Sequence, residues 1–166
     1  MRRLILMRHA EADAPKLGMG DHARPLSRRG EAEARAMGRL LSARGWRPDV
    51  AIVSPAVRTQ QTWDLVRDAF GDVDLRTPSG LYNADASRLD ALIADVADEA
   101  GCLIVIAHNP GVHVLAVQCL QDNAAAPADL ERFADGFPTG AAAVFTVDET
   151  GRRALDSYLQ PPAAPE

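Results

Sequence analysis

Short runs of branched apolar residues alternate along the chain with longer stretches whose apolar positions recur every three or four residues. Leu4-Ile5-Leu6-Met7, Val50-Ala51-Ile52-Val53 and Cys102-Leu103-Ile104-Val105-Ile106-Ala107 are too short for helices and apolar at successive positions, the pattern of strands covered on both faces in a parallel sheet. Between them the helical period takes over. Ser27 has the chemistry of an N-cap, and Ala34, Met37, Leu40 and Leu41 follow at helical spacing up to Gly45. Ser54-Pro55 predicts an N-cap and first helical position for a helix running through Thr62, Leu65, Val66 and Phe70 to Gly71. Ser87-x-x-Asp90 reads as a capping box ahead of Leu89, Leu92, Ile93 and Val96, and a further helix carries Val112, Leu115, Ala116 and Leu120.

A weak strand is expected at Val73-Asp74-Leu75, and an antiparallel hairpin from Ala141–Val147 and Arg153–Tyr158 around Asp148-Glu149-Thr150-Gly151. Asp122 to Thr139 is rich in alanine, proline and acid, a connection with room for one short helix. Regular strand–helix alternation implies an α/β fold with a mostly parallel sheet flanked by helices and finished by the hairpin. At 166 residues and 47% hydrophobic content, one domain over residues 1–160 is expected, with a frayed tail over 161–166.

The net charge of −5 argues against a protein built around nucleic acid. The sequence enters its first strand at once, with no signal-peptide pattern and no run of about 18 apolar residues, so a cytoplasmic chain without a membrane span is expected. Cys102 and Cys119 fall in predicted core elements without C-x-x-C spacing and read as core thiols.

Chemistry concentrates where the buried strands end. In open α/β sheets, ligands sit beyond the carboxyl ends of the strands. The first strand ends in Arg8-His9, the second leads into a helix carrying Arg58 in its first turn, and the third ends in His108-Asn109-Pro110-Gly111. A parallel sheet brings these ends to one edge. Two arginines and two histidines on one rim, beside a helix N-terminus, suit a phosphoryl dianion. Neutral His9 can then attack phosphorus and water can release the phosphohistidine. His108 and His113 are five apart, off the one-face spacing of zinc ligands, and no metal or other cofactor is expected.

Four segments in order, Leu6-Met7-Arg8-His9-Ala10, Arg24-Pro25-Leu26-Ser27-x-x-Gly30, Ser54-Pro55-Ala56-Val57-Arg58-Thr59-x-Gln61-Thr62 and Ala107-His108-Asn109-Pro110, make the chain resemble the histidine phosphatase superfamily from Leu4 to about Leu120. The resemblance implies a three-layer, phosphoglycerate mutase-like fold. It makes His9 the phosphorylated nucleophile, Arg8 and Arg58 the phosphoryl clamp, and His108 an oxygen ligand that stabilises charge. Arg24 is implied as a further phosphate contact, as in SixA-type phosphohistidine phosphatases.

The departures bear on substrate. Ala10 replaces the family's glycine after the histidine and bears on loop geometry. Acid phosphatases of the superfamily carry an aspartate where this chain has Asn109, and mutases a glutamate within the segment here reading Leu81-Tyr82-Asn83-Ala84-Asp85, where Asp85 is the one candidate acid. An alkoxide leaving group needs a positioned acid, whereas imidazole takes a proton readily. The expected substrate is therefore phosphohistidine on a phosphotransfer protein. A small-molecule phosphomonoesterase using Asp85, or a non-catalytic phosphate-binding module, are the alternatives.

Overall fold

The computed structural model describes residues 1–163; the last three positions of the expected tail lie outside the described residues. Six strands are β1 (Arg3–Arg8), β2 (Val50–Val53), β3 (Asp74–Arg76), β4 (Cys102–Ala107), β5 (Ala142–Val147) and β6 (Arg153–Leu159). The α-helices are α1 (Arg28–Ala43), α2 (Val57–Val66), α3 (Ala86–Val96), α4 (Gly111–Asp122) and α5 (Pro127–Arg132). The strands form one sheet in the order β3-β2-β4-β1-β5-β6. The first four are mutually parallel, and β5 and β6 join antiparallel at the β1 edge.

Strand pleat divides the core into two layers. Leu4, Leu6, Ile52, Leu103 and Val105 face α3 and α4 with Phe133 and Phe137, while Ile5, Met7, Val53, Ile104 and Ile106 face α1 and α2 through Met37, Leu41, Trp63 and Val66. Both faces are covered, which is why these strands read as unbroken apolar runs rather than as alternation. Each fully buried Leu, Ile or Val contributes about 1.5–3 kcal/mol. The result is the three-layer α/β arrangement expected. Among the described residues no helix is long and apolar enough to cross a membrane.

Two helix starts differ from the sequence expectation. Ser27 caps α1 as expected, accepting from the Gly30 N–H. α3, however, is capped by Asp85, which accepts from the Arg88 N–H, rather than by Ser87. α2 starts at Val57 with Ala56 at its N-cap and no side-chain cap, and the Ser54 hydroxyl oxygen accepts only a long bond from the Ala56 N–H (3.5 Å).

The segment after β1 is pinned onto α1. Ser27 N–H donates to the Glu11 carbonyl (3.0 Å), and Ala12 bridges to Leu26. A Cβ on Gly30 would overlap that Glu11 carbonyl, and one on Gly111 would overlap the Ala84 carbonyl. Glycine in the Ser27-x-x-Gly30 segment thus lets the loop that follows His9 lie directly on the helix. Gly30→Ala should cost about 2 kcal/mol by overpacking and lower Tm by about 4–8 °C. A thermal melt unchanged by this substitution would contradict the close approach.

Candidate functional site

β4 lies between β1 and β2, and the three end level. Arg8 is registered with Ala107, and Val53 with Ile106. The ladder continues one step further, His9 N–H donating to the Ala107 carbonyl (3.2 Å) and Ser54 N–H to that of Ile106 (3.0 Å). His9, His108 and Ser54 are therefore neighbours because of sheet order. Arg58 joins them from the first turn of α2.

Each of these side chains is buried: His9 is 6% exposed, and His108 and Arg58 3%. The His9 and His108 rings lie 5.5 Å apart. His9 Nδ1 is 2.7 Å from the Ala10 carbonyl. A carbonyl only accepts, so Nδ1 carries the proton and Nε2 presents a lone pair.

Arg58 donates through NH1 to the Asp21 carbonyl (2.8 Å), and through NH2 to Asp21 Oδ2 (3.1 Å) and His108 Nδ1 (3.3 Å). Arg8 NH1 donates to the Phe137 carbonyl (3.1 Å). The Nε atoms of both arginines are buried without a partner. Buried polar groups are seldom left so, and unpaired guanidinium donors call for an anion.

Electrostatics match the geometry. Burial, the neighbouring His108 and both arginines push the His9 imidazole down to about 3, against the opposing bond to Ala10. Burial, then Arg58, takes His108 down to about 4. Burial and Arg58 also lower Arg8. Asp21 is the counter-charge. Tyr82's hydroxyl (2.6 Å), with Arg58 and Arg24, holds its carboxyl down at about 2. The site thus keeps two neutral imidazoles beside two guanidinium cations and one ionised aspartate. Such a site can hold a tetrahedral dianion and direct an uncharged ring nitrogen at it.

Not every residue singled out from sequence joins this group. Arg24 donates to Asp21 Oδ1 (3.0 Å) and the Asp13 carbonyl (3.0 Å), bonding neither histidine and reaching the site through Asp21. Asp85 has its carboxylate on the first turn of α3. Asn109 Nδ2 donates to the same Phe137 carbonyl as Arg8 (2.9 Å). His113 sits 2.7 Å from the Phe133 carbonyl. Ala10 lies outside the positive-φ residues, its methyl buried and its N–H on Thr62 Oγ1 (3.1 Å), so the backbone here does not require glycine. Among the described residues, no three His, Cys, Asp or Glu side chains gather as a metal site.

Sequence reasoning passed over Asp21, Tyr82 and the second use of Ser54. Asp21 stands three residues before Arg24 in an aperiodic loop, where one carboxylate reads as solvated. Tyr82, edge-on to the His108 ring at 5.6 Å and tilted against His22 at 4.9 Å, reaches the rim from an irregular segment. Ser-Pro ahead of a helix is itself a cap signal, which masks the hydroxyl's other partner.

Residues 4–102 match the family model of the histidine phosphatase superfamily (branch 1). An uncharacterized protein of Mycobacterium tuberculosis is 34% identical over 141 residues, covering 85% of this chain and 87% of that one. An uncharacterized chloroplastic protein of Arabidopsis thaliana is 48% identical over 88 residues, 51% of this chain and 40% of that longer one. Among solved structures, the putative phosphohistidine phosphatase SixA from Agrobacterium tumefaciens superposes with a TM-score of 0.85 at 29% identity, over 96% of this chain and 99% of that one. The protein histidine phosphatase SixA complexed with tungstate gives 0.76 at 25% identity, over 96% of this chain and 97% of that one.

Two imidazoles held neutral in the fold, against an ordinary value of 6.5, make stability depend on pH. Between about pH 6.5 and 4 the unfolded chain binds protons that the folded chain refuses. Stability is therefore complete above that window and falls as pH is lowered through it, by up to about 2.7 kcal/mol per pH unit. In phosphate-free buffer Tm should drop from pH 7 to pH 5, and His9→Gln or His108→Gln should each remove about half of the slope. A flat wild-type Tm over that range would contradict the neutral pair.

Proposed function

Because the chain belongs to the histidine phosphatase superfamily, we propose that it is a metal-independent phosphatase that works through a phosphohistidine on His9. Its substrate is proposed to be phosphohistidine on a phosphotransfer protein. One observation carries the reading: the Nδ1–H bond from His9 to its neighbour's carbonyl leaves Nε2 as a lone pair beside two arginines with unpaired buried donors.

The steps follow from these positions. Arg8 and Arg58 draw the phosphoryl oxygens in and neutralise their charge, His108 serves as an oxygen ligand once protonated on Nδ1, and charge neutralisation with placement is most of what phosphoryl transfer requires. His9 Nε2 attacks phosphorus, the N–P bond forms, and the bond to the leaving atom breaks. The Ala10 carbonyl, accepting from Nδ1–H, steadies the positive charge that grows on the ring. Water then attacks the phosphohistidine, the N–P bond breaks, and inorganic phosphate leaves with His9 neutral again.

The acids near the site favour an imidazole leaving group. Asp21 is ionised, held down at about 2, and already accepts from Tyr82, Arg58 and Arg24. Asp85 is committed to the α3 N-terminus. Asn109 supplies no proton. Neither carboxylate is placed as a general acid for an alkoxide, whereas imidazole leaves with a proton taken from water or buffer. The similarity to SixA structures supports the same substrate class. A cytoplasmic location is proposed with it.

Two measurements test the proposal. Wild-type protein should release phosphate from a phosphohistidine peptide at least about a hundredfold faster than from sugar phosphates, in the presence of a chelator. His9→Ala should lose turnover and the acid-labile phosphoryl label together. Full activity in His9→Ala would end the assignment of the nucleophile. A preference for sugar phosphates that disappears in Asp85→Asn would replace the protein substrate with a small phosphomonoester. Tight phosphate binding with no hydrolysis of any phosphoramidate would make the chain a binding module.

A further inference from the structure

The two histidines of the site hold their protons on opposite nitrogens. His9 is the Nδ1–H tautomer, through its bond to the Ala10 carbonyl. His108 is the reverse. Arg58 NH2, 3.3 Å from His108 Nδ1, has no lone pair to offer, so Nδ1 must be the acceptor and Nε2 must carry the hydrogen. That Nε2–H donates to Ser54 Oγ, 2.7 Å away.

Ser54 is built to be that acceptor. It is fully buried. Its N–H is tied to the Ile106 carbonyl, and its own carbonyl accepts from Thr59 Oγ1 (2.8 Å) and Gln60 Nε2 (2.8 Å), so the residue is fixed from both sides. The Ser-Pro sequence predicts that this hydroxyl caps α2, yet the helix begins at Val57 without a side-chain cap, and the hydroxyl oxygen lies 3.5 Å from the Ala56 N–H against 2.7 Å from His108 Nε2. A local rule broken beside a functional cluster marks a demand made by the site.

We propose that Ser54 is a positioning residue, whose hydroxyl fixes His108 as the Nε2–H tautomer and accepts from the imidazolium formed when Nδ1 bonds a phosphoryl oxygen. The proposal rests on the phosphatase reading above. A lone pair on Nδ1 would repel an arriving phosphoryl oxygen, so a proton has to occupy it. When the phosphoryl group arrives as the monoanion, the P–OH proton passes to Nδ1, and the new Nδ1–H donates back to the same oxygen. When it arrives as the dianion, solvent supplies the proton, and it departs with inorganic phosphate. In either case Nε2–H keeps Ser54 as its acceptor. Arg58, Arg8, Asp21 and His22 act on the ring electrostatically, with the His9 and Tyr82 rings beside it. Without the hydroxyl, a buried Nε2–H has no partner and the ring is driven toward Nδ1–H, against the Arg58 donor.

The test is the ring ¹⁵N spectrum of the whole chain at pH 7 in phosphate-free buffer, assigned with His9→Gln and His108→Gln, beside kinetics on a phosphohistidine peptide. Wild type should show His9 protonated on Nδ1 and His108 on Nε2, with His108 protonated on both nitrogens once tungstate is added. Ser54→Ala should lose the Nε2–H signature of His108 and lower kcat by about 10–100-fold while KM stays within about threefold. Ser54→Cys, a weaker acceptor, should fall between. A folded Ser54→Ala protein with a wild-type His108 spectrum and unchanged kcat would overturn the proposal. Should that variant not fold, a wild-type His108 protonated on Nδ1 would do the same. The expected spectra in a wild type that hydrolyses neither substrate would support the role of Ser54 and count against the phosphatase reading.

Discussion

Everything at the carboxyl edge of this sheet depends on gathering positive charge where water is scarce. Arg58 is almost completely buried, Arg8 has a buried Nε with no partner, and both lie with two histidines around one small volume. Ionised groups are costly to bury unless paired, and among the described residues the carboxylate paired with Arg58 is that of Asp21. The imidazoles respond by staying neutral. On the proposed reading, a tetrahedral anion bound at this edge is what offsets the two cations.

The fold produces that charge cluster through connectivity rather than through any long-range attraction. Parallel strands need crossover helices, and with β4 placed between β1 and β2 the residues following all three strands are adjacent. The hydrophobic layers on both faces fix strand register and so fix where the polar residues emerge. The β1–α1 loop then closes over the edge, lying on α1 where Gly30 leaves room, and delivers Asp21 to Arg58. One exposed carboxylate, gripped by Tyr82, thereby orients a buried guanidinium.

Much of this is readable from the chain because it comes from repeating constraints. Two-sided burial forces unbroken apolar strands, and their parallel order forces Arg8, His9, Arg58 and His108 to one edge. What escapes sequence reading is made by single contacts between aperiodic segments. Asp21 and Tyr82 meet across 61 residues. Asp85 and Ser87 are both competent caps for α3, and only the backbone geometry at the helix start selects Asp85. Ser54 carries an intact cap signal, yet its hydroxyl lies closer to His108 (2.7 Å) than to the Ala56 N–H (3.5 Å). Arg24 resembles a phosphate contact in sequence, while its guanidinium is engaged with Asp21 and the Asp13 carbonyl.

The central claim is that one oxyanion completes this cluster with His9 Nε2 aimed at its central atom. A crystal structure of the protein soaked with tungstate tests it most directly. The account predicts a single anion at the carboxyl ends of β1 and β4, its oxygens bonded by Arg8, Arg58 and His108, and its metal atom opposite His9 Nε2. An anion bound elsewhere, or an empty cluster with both Nε donors still unpartnered at saturating tungstate, would contradict it.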